Sequence, residues 1–144
     1  MHKRLIFEDC KKKGFLFNLK EIDKFKIKSM IEIANTDFET AEFLDKSKRY
    51  NLSSTYKLYY DALHEITTAL LILHKIKSYN HQCLFAYLCN KHKEFRIDIF
   101  ERIRIKRNRL NYYGEKLTER EFYILKKTIK EYYCKVREKV LRNA

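Results

Sequence analysis

The amino-acid sequence predicts an all-α protein, an antiparallel up-and-down bundle of four to five helices. Its 144 residues contain no proline and only two glycines, whereas strands and tight turns usually require more of both. Five segments place apolar residues at helical spacing, and the connections between them are short, so neighbouring helices should run antiparallel. With 45% hydrophobic residues, a chain of this length is expected to form a single domain, residues 1–144.

The N-terminal half is expected to contain a short extension and three helices. The extension, residues 1–19, should pack on the bundle and contain a short segment that closes at Gly14. Long helices are predicted over about 22–44 and about 52–77, and a shorter one over 81–90. The predicted core-facing positions of the two long helices are Ile27, Met30, Ile31, Ala34, Phe38 and Ala41, and Tyr56, Tyr59, Leu63, Ile66, Leu70 and Leu73.

The C-terminal half is expected to contain two further helices. One is predicted over about 96–113, with Gly114 just past its C-terminal cap. The next begins at Thr118, because a threonine followed three positions later by Glu121 is typical of a capping box. The apolar face of this last helix consists of Phe122, Leu125, Ile129, Tyr133, Val136 and Val140.

The charge of the chain concerns its partners rather than its fold. The formal net charge is +13, which favours an anionic partner, with RNA or DNA as the first choice. A generally lysine-rich composition explains the same charge without such a partner.

The cysteines and the N-terminus lead to an expectation about location. Met1 to Asp9 lack the apolar core of a signal peptide, and the longest apolar run, Ala69 to Leu73, is too short to cross a membrane. We therefore expect a cytoplasmic protein, not bound to a membrane, whose four cysteines are reduced.

A metal site is not expected. His81, Cys83, Cys89 and His92 have ligand chemistry, but their spacing matches no zinc pattern. The sequence therefore predicts neither a metal nor another cofactor.

The most informative segment is strongly basic. Five basic side chains fall between Arg102 and Arg109, and one of them, Arg107, shares a helix side with the apolar Ile103 and Leu110. A buried, unpaired guanidinium would cost several kcal/mol. Two explanations stay open: the apolar stripe is a subunit interface with an anion-binding groove, or Arg107 pairs internally with an acidic residue. The acidic candidates are Asp61, Glu65 and Asp37.

Three stretches together resemble the HEPN domain family, over roughly residues 20 to 140. "EIANTDFETAEFL", residues 32–44, is similar to the first-helix pattern, and "YYDALHEITTALLIL", residues 59–73, to the alanine- and leucine-rich second helix. "RNRLNYYG", residues 107–114, stands where the family places Arg-x4–6-His. Arg107 and Asn108 match the family's Arg-Asn, and Tyr112 occupies the histidine position.

The resemblance implies a function and partners. The family consists of helical bundles that often dimerise, and many members are metal-independent ribonucleases, frequently toxins paired with a nucleotidyltransferase-type antitoxin. For this chain it implies a homodimer that binds RNA, with such an antitoxin as a further partner. The implied catalytic residues are Arg107, Asn108 and Tyr112.

The chemistry of these residue types suits part of that role. Metal-free RNA cleavage needs a base, an acid and a cation that stabilises the phosphorane, and the planar fork of Arg107 suits the third task. Asn108 would orient the phosphate. Tyr112 has a reference pKa of about 10, so it is a poor base at pH 7 unless nearby arginines lower that pKa. The expected RNA contacts are Arg102, Arg104, Lys106, Arg109 and Tyr113.

Alternatives to this interpretation remain. The chain is a ribonuclease, a non-catalytic RNA- or nucleotide-binding module, or an interaction subunit for a nucleotidyltransferase. His64, close to Glu65 and Asp61 in the sequence, is either another acid–base group or an ordinary histidine at the edge of the core.

Overall fold

The predicted helical bundle is confirmed. The computed structural model describes residues 6–47, 51–112 and 114–144, apart from the side chain of residue 112. These residues form six helices and one two-stranded ribbon. The helices are α1 (Phe7–Lys12), α2 (Lys24–Ser47), α3 (Leu52–Leu73), α4 (His81–Lys91), α5 (Ile97–Tyr112) and α6 (Glu119–Asn143), and the strands are β1 (Phe17–Asn18) and β2 (Ile76–Lys77).

Helix α3 is the centre of the bundle. It packs against α2 and α6, and also contacts α4 and α5. Because neighbours cover several of its sides, more than half of its residues are buried, and most of the buried ones are apolar, as expected for an enclosed helix. All predicted core positions of α3 are buried except Leu73, which packs at the edge. Those of α6 are buried without exception.

Polar side chains fix the direction of α6 against α2. Lys126 lies 2.7 Å from Asp45, and the hydroxyl of Tyr133 donates a 2.5 Å hydrogen bond to Asn35. Residue numbers therefore rise along α6 as they fall along α2, so the two helices run antiparallel.

Local signals at the helix ends agree with the sequence. Gly14 follows α1 with a φ of +69°, and Gly114 follows α5 with a φ of +63°, conformations that glycine adopts without a steric cost. The side chain of Thr118 accepts a hydrogen bond from the backbone N–H of Glu121, and the Glu121 side chain accepts one from Thr118, which completes the predicted capping box.

The predicted extension of α3 to about residue 77 is wrong. The helix ends at Leu73, and Lys75 adopts a φ of +60°, which an α-helix cannot accommodate. Ile76 and Lys77 then pair with Asn18 and Phe17 in an antiparallel ribbon. Their backbone groups are satisfied by a distant segment of chain rather than by the helix.

The prediction that all four cysteines are reduced is also wrong. Cys10 of α1 and Cys83 of α4 form a disulfide with a Cα–Cα distance of 5.6 Å, and both are fully buried. The bond holds the N-terminal segment against α4, where Phe15 and Leu16 pack around it. Cys89 and Cys134 are free thiols. No helix among the described residues is long and apolar enough to span a membrane.

Candidate functional site

Helix α5 presents its basic residues on two different sides. Arg104 and Arg107 lie three positions apart and share one side, whereas Arg102, Lys106 and Arg109 share another. The first side faces α3 and α4, and the second faces α6.

The apolar stripe of α5 is part of the core of a single chain. Ile103 is fully buried and Leu110 is 5% exposed, while Ile99 packs against the same core. The expectation that this stripe forms a subunit interface is therefore wrong, because α3 and its neighbours already cover it.

Arg107 lies at the edge of that core with its guanidinium partly accessible. Its side chain is 23% exposed, and Cζ lies 5.4 Å from the ring centre of Tyr60 on α3. The Asp61 carboxylate is 4.0 Å from Nη2, which is an ion pair but too long for a hydrogen bond. Nε is buried, and no described residue accepts a hydrogen bond from it. Internal pairing with Asp61 is thus confirmed, and it leaves hydrogen-bond donors of Arg107 free for an anion.

Two histidines complete the surroundings of Arg107. The rings of His64 on α3 and His81 on α4 stack with their centres 3.9 Å apart. The hydroxyl of Tyr60 lies 2.9 Å from Nδ1 of His81. Phe85 meets the rings of Tyr60 and His64 edge-on and closes the inner side of the cluster. We call Tyr60, His64, His81 and Arg107 the histidine–arginine cluster.

Burial and positive charge keep the imidazoles of this cluster neutral. Burial lowers the pKa of His64 to about 3, and His81 and Arg107 add to the effect. The pKa of His81 is lowered by burial and then by Arg107 and Arg104. Burial raises the pKa of Tyr60, so its hydroxyl is protonated. At neutral pH the cluster therefore carries the single positive charge of Arg107.

Carboxylates lie on the α2–α3 side of the cluster. The pKa of Asp61 is raised by burial, against the opposing effect of Arg107. The pKa values of Asp37 and Glu65 are also raised, chiefly by burial. Asp61 therefore competes with an external anion for Arg107, although its 48% exposed side chain leaves it largely hydrated.

Two of the side chains predicted to contact RNA already form ion pairs within the chain. Arg104 lies 3.1 Å from Glu101, and both side chains are nearly buried. Lys106 lies 2.7 Å from Glu121 and 3.7 Å from Glu115. Carboxylates neutralise both cations, so neither is a strong anchor for phosphate.

The other two described contacts border a groove between α5 and α6. Arg102 and Arg109 are exposed there together with Arg120, in a cavity of about 320 Å³. Ile105, Ile124 and Leu125 form its apolar wall. We call this cavity the α5–α6 groove. Basic rims over an apolar wall suit a nucleic-acid backbone and its bases.

The remaining predicted site residues lie only in part within the described residues. Asn108 is half-buried on α5. The side chain of Tyr112 and the whole of Tyr113 lie outside the described residues. The structure thus brings Arg107 together with Tyr60, His64 and His81 and separates it from the α5–α6 groove.

Sequence reasoning missed His81 and Tyr60 as neighbours of Arg107. Tyr60 and His64 lie four positions apart on α3, so their common side was readable. Nothing in the sequence indicated that α4 would bring His81 to the same place.

Within the described parts of the chain, no group of three histidine, cysteine or acidic side chains is arranged to hold a metal ion. No protein-family model, no curated protein sequence and no solved structure matches the chain.

Proposed function

We propose that this protein binds RNA and cleaves it without a metal ion, as a HEPN-like ribonuclease of toxin type. The observation that carries the proposal is the incompletely paired guanidinium of Arg107, whose closest carboxylate, Asp61, is 4.0 Å away. A phosphodiester would accept the hydrogen bonds that Asp61 does not, with the bidentate geometry that arginine favours.

The surface charge supports RNA as the ligand. Net charge of +13 attracts a polyanion, and the exposed Arg102, Arg109 and Arg120 of the α5–α6 groove offer phosphate contacts. Exposed Ile105 and Ile124 beside them offer apolar surface for bases.

Asn108 and Tyr112 enter the proposal through the family resemblance. Asn108 would orient the phosphate, and Tyr112 would stand in for the family's histidine or stack on a base. Tyr113 would add a stacking surface.

The test is cleavage of a fluorescent RNA by the purified protein. Arg107→Ala should reduce the cleavage rate by about a hundredfold or more. Removal of one group that stabilises charge in the transition state typically has an effect of this size. Arg107→Lys should recover only part of the loss, because lysine keeps the charge and loses the fork. Arg142→Ala is the matched control, since Arg142 is an exposed arginine of α6 paired with Glu138.

Addition of EDTA should leave the rate unchanged. Wild-type protein that cleaves no RNA, or an Arg107→Ala variant that cleaves at the wild-type rate, would show the proposal to be wrong.

The second candidate is a non-catalytic RNA-binding module. The tyrosine at position 112 favours it, because the family's histidine is missing there. This module would bind RNA through the same arginines and cleave nothing, and Tyr112→His would also fail to cleave.

Partners and location belong to the same proposal. A homodimer and a nucleotidyltransferase-type antitoxin follow from the resemblance, and the exposed Tyr123 of α6 is apolar surface that such a contact would cover. Sedimentation and co-purification test the two partners. A cytoplasmic location stays a prediction, and the Cys10–Cys83 disulfide weighs against it because cytoplasmic thiols are usually kept reduced.

A further inference from the structure

We propose that His81 is the proton-transfer residue of this site, oriented by Tyr60 and His64, and that it performs the task that the resemblance assigns to position 112. The inference rests on the proposed ribonuclease function. It adds a residue from α4 that the family motif does not contain.

Tyr60 places His81 close to Arg107. Tyr60 connects the two reactive groups, because the guanidinium of Arg107 lies over its ring while Nδ1 of His81 lies 2.9 Å from its hydroxyl. A phosphate held by Arg107 would therefore have an imidazole as a near neighbour. His81 is half-buried, so it is accessible from solvent as well as supported from within.

Two neighbours fix the orientation of the His81 ring. One face of His81 stacks on His64 at 3.9 Å, and its Nδ1 is held by Tyr60. General-base action requires the tautomer in which Nδ1–H donates to the Tyr60 oxygen, because Nε2 then keeps its lone pair. The same hydrogen bond persists after Nε2 gains a proton.

Charged and polar groups of two helices lie near His81. Tyr60 and His64 contact it from α3, and Arg107 and Arg104 act on it from α5. Asp61 and Glu101 act on the adjoining Tyr60. Burial and the two arginines lower its pKa, so the free protein presents a neutral imidazole at pH 7. A phosphodiester on Arg107 adds negative charge beside the ring. Its arrival raises the pKa of His81 and stabilises the imidazolium that proton abstraction creates.

The reaction balances without a co-reactant. The 2′-hydroxyl of the RNA loses its proton to Nε2 of His81, and the 2′ oxygen forms a bond to phosphorus. The bond from phosphorus to the 5′ oxygen then breaks, and that oxygen takes the proton back from His81. The products are a 2′,3′-cyclic phosphate and a 5′-hydroxyl, with the negative charge held by Arg107.

His81→Asn is the decisive variant. Asparagine keeps an amide close to the position of Nδ1 for Tyr60, tolerates the first turn of α4, and cannot transfer protons in this way. We expect kcat to fall by a hundredfold or more, a typical contribution of acid–base catalysis, while RNA affinity stays within about threefold. His74→Asn is the control, since His74 is the C-cap residue of α3, outside the histidine–arginine cluster, and also has a pKa lowered by burial.

Tyr112→Phe, measured in parallel, separates this inference from the family motif. We expect its kcat to fall much less than that of His81→Asn, because the phenylalanine ring can still stack on a base while His81 transfers the protons. Loss of activity in Tyr112→Phe with retention in His81→Asn would overturn the assignment of His81.

Tyr60→Phe tests the positioning role. It keeps the ring under Arg107 but removes the oxygen that accepts from the imidazolium. We expect KM to hold, kcat to fall by about tenfold, and the acidic limb of the pH–rate profile to move to lower pH. An unchanged pH profile would count against the role of Tyr60.

A binding measurement checks His81 independently of cleavage. Affinity for a 2′-deoxy oligonucleotide should rise as the pH falls, because bound phosphate raises the pKa of His81, and His81→Asn should flatten this dependence. Equal pH dependence in both proteins would overturn the inference. Cleavage that needs Arg107 but not His81 would leave the proposed function standing and show this inference to be wrong, whereas a wild type that cleaves nothing would end both.

Discussion

The hydroxyl of Tyr56 on α3 donates a buried hydrogen bond of 2.7 Å to the backbone carbonyl of Ile103 on α5. Four positions further along each helix lie Tyr60 and Arg107, which face each other at 5.4 Å. The buried bond therefore sets the register that places Arg107 over the ring of Tyr60.

Removal of this bond should lower stability. Tyr56→Phe keeps the fully buried ring, so the free energy of unfolding should fall by about 1 kcal/mol, the usual net worth of one hydrogen bond. Denaturant titration measures it, with Tyr123→Phe as the control because that side chain is 65% exposed. Equal losses in the two variants would contradict the assigned bond.

The disulfide should be visible in a thiol count and in stability. Unfolded protein without reductant should expose two reactive thiols, Cys89 and Cys134, and reduction should raise the count to four. Because the bond joins residues 73 positions apart, reduction should lower the free energy of unfolding by about 4 kcal/mol in the loop-entropy description. Four reactive thiols before reduction would refute the bond.

Acid should destabilise the fold through His64. Its pKa is about 3 in the folded protein, against 6.5 for an ordinary histidine. Between these two pH values the unfolded chain is protonated at His64 and the folded chain is not. The stability from His64 is complete above pH 6.5 and is lost as the pH falls towards 3. His64→Phe keeps a stacked ring, and its stability should fall less steeply over this range. The carboxylates titrate in the wild type and in His64→Phe alike. Identical slopes of stability against pH in these two proteins would therefore argue against a neutral, buried His64.

Salt dependence should separate the basic residues of α5 into two groups. Arg102→Ala and Arg109→Ala should each weaken RNA binding and reduce the slope of log K against log salt by roughly 0.7, the value for one phosphate contact on single strands. The double variant Glu101→Gln/Arg104→Gln should leave the slope unchanged, because these two side chains form a nearly buried ion pair with each other and Arg104 contacts no phosphate. A slope change in the double variant would mean that Arg104 contacts RNA.

Much of the fold was readable from the sequence because its signals are local. Apolar spacing placed the inward faces of α2, α3 and α6, and a capping box and two glycines marked helix ends within a few residues of Thr118, Gly14 and Gly114. Local signals failed at the end of α3. There Lys75 turns to positive φ and β2 pairs with β1, a partner far away in the chain.

The candidate site was likewise only partly predictable from local sequence signals. The sequence by itself singled out Arg107, because a cation within an apolar stripe is visible from helical spacing alone. Tertiary structure decided its surroundings. Helix α4 brings His81 against His64 and Tyr60, and the Cys10–Cys83 disulfide joins α1 to α4. Two of the neighbouring cations form ion pairs within the chain, Arg104 with Glu101 and Lys106 with Glu121. These contacts depend on how separate helices pack side by side. Periodicity tells which face of a helix is buried, but not which distant side chains will meet it there.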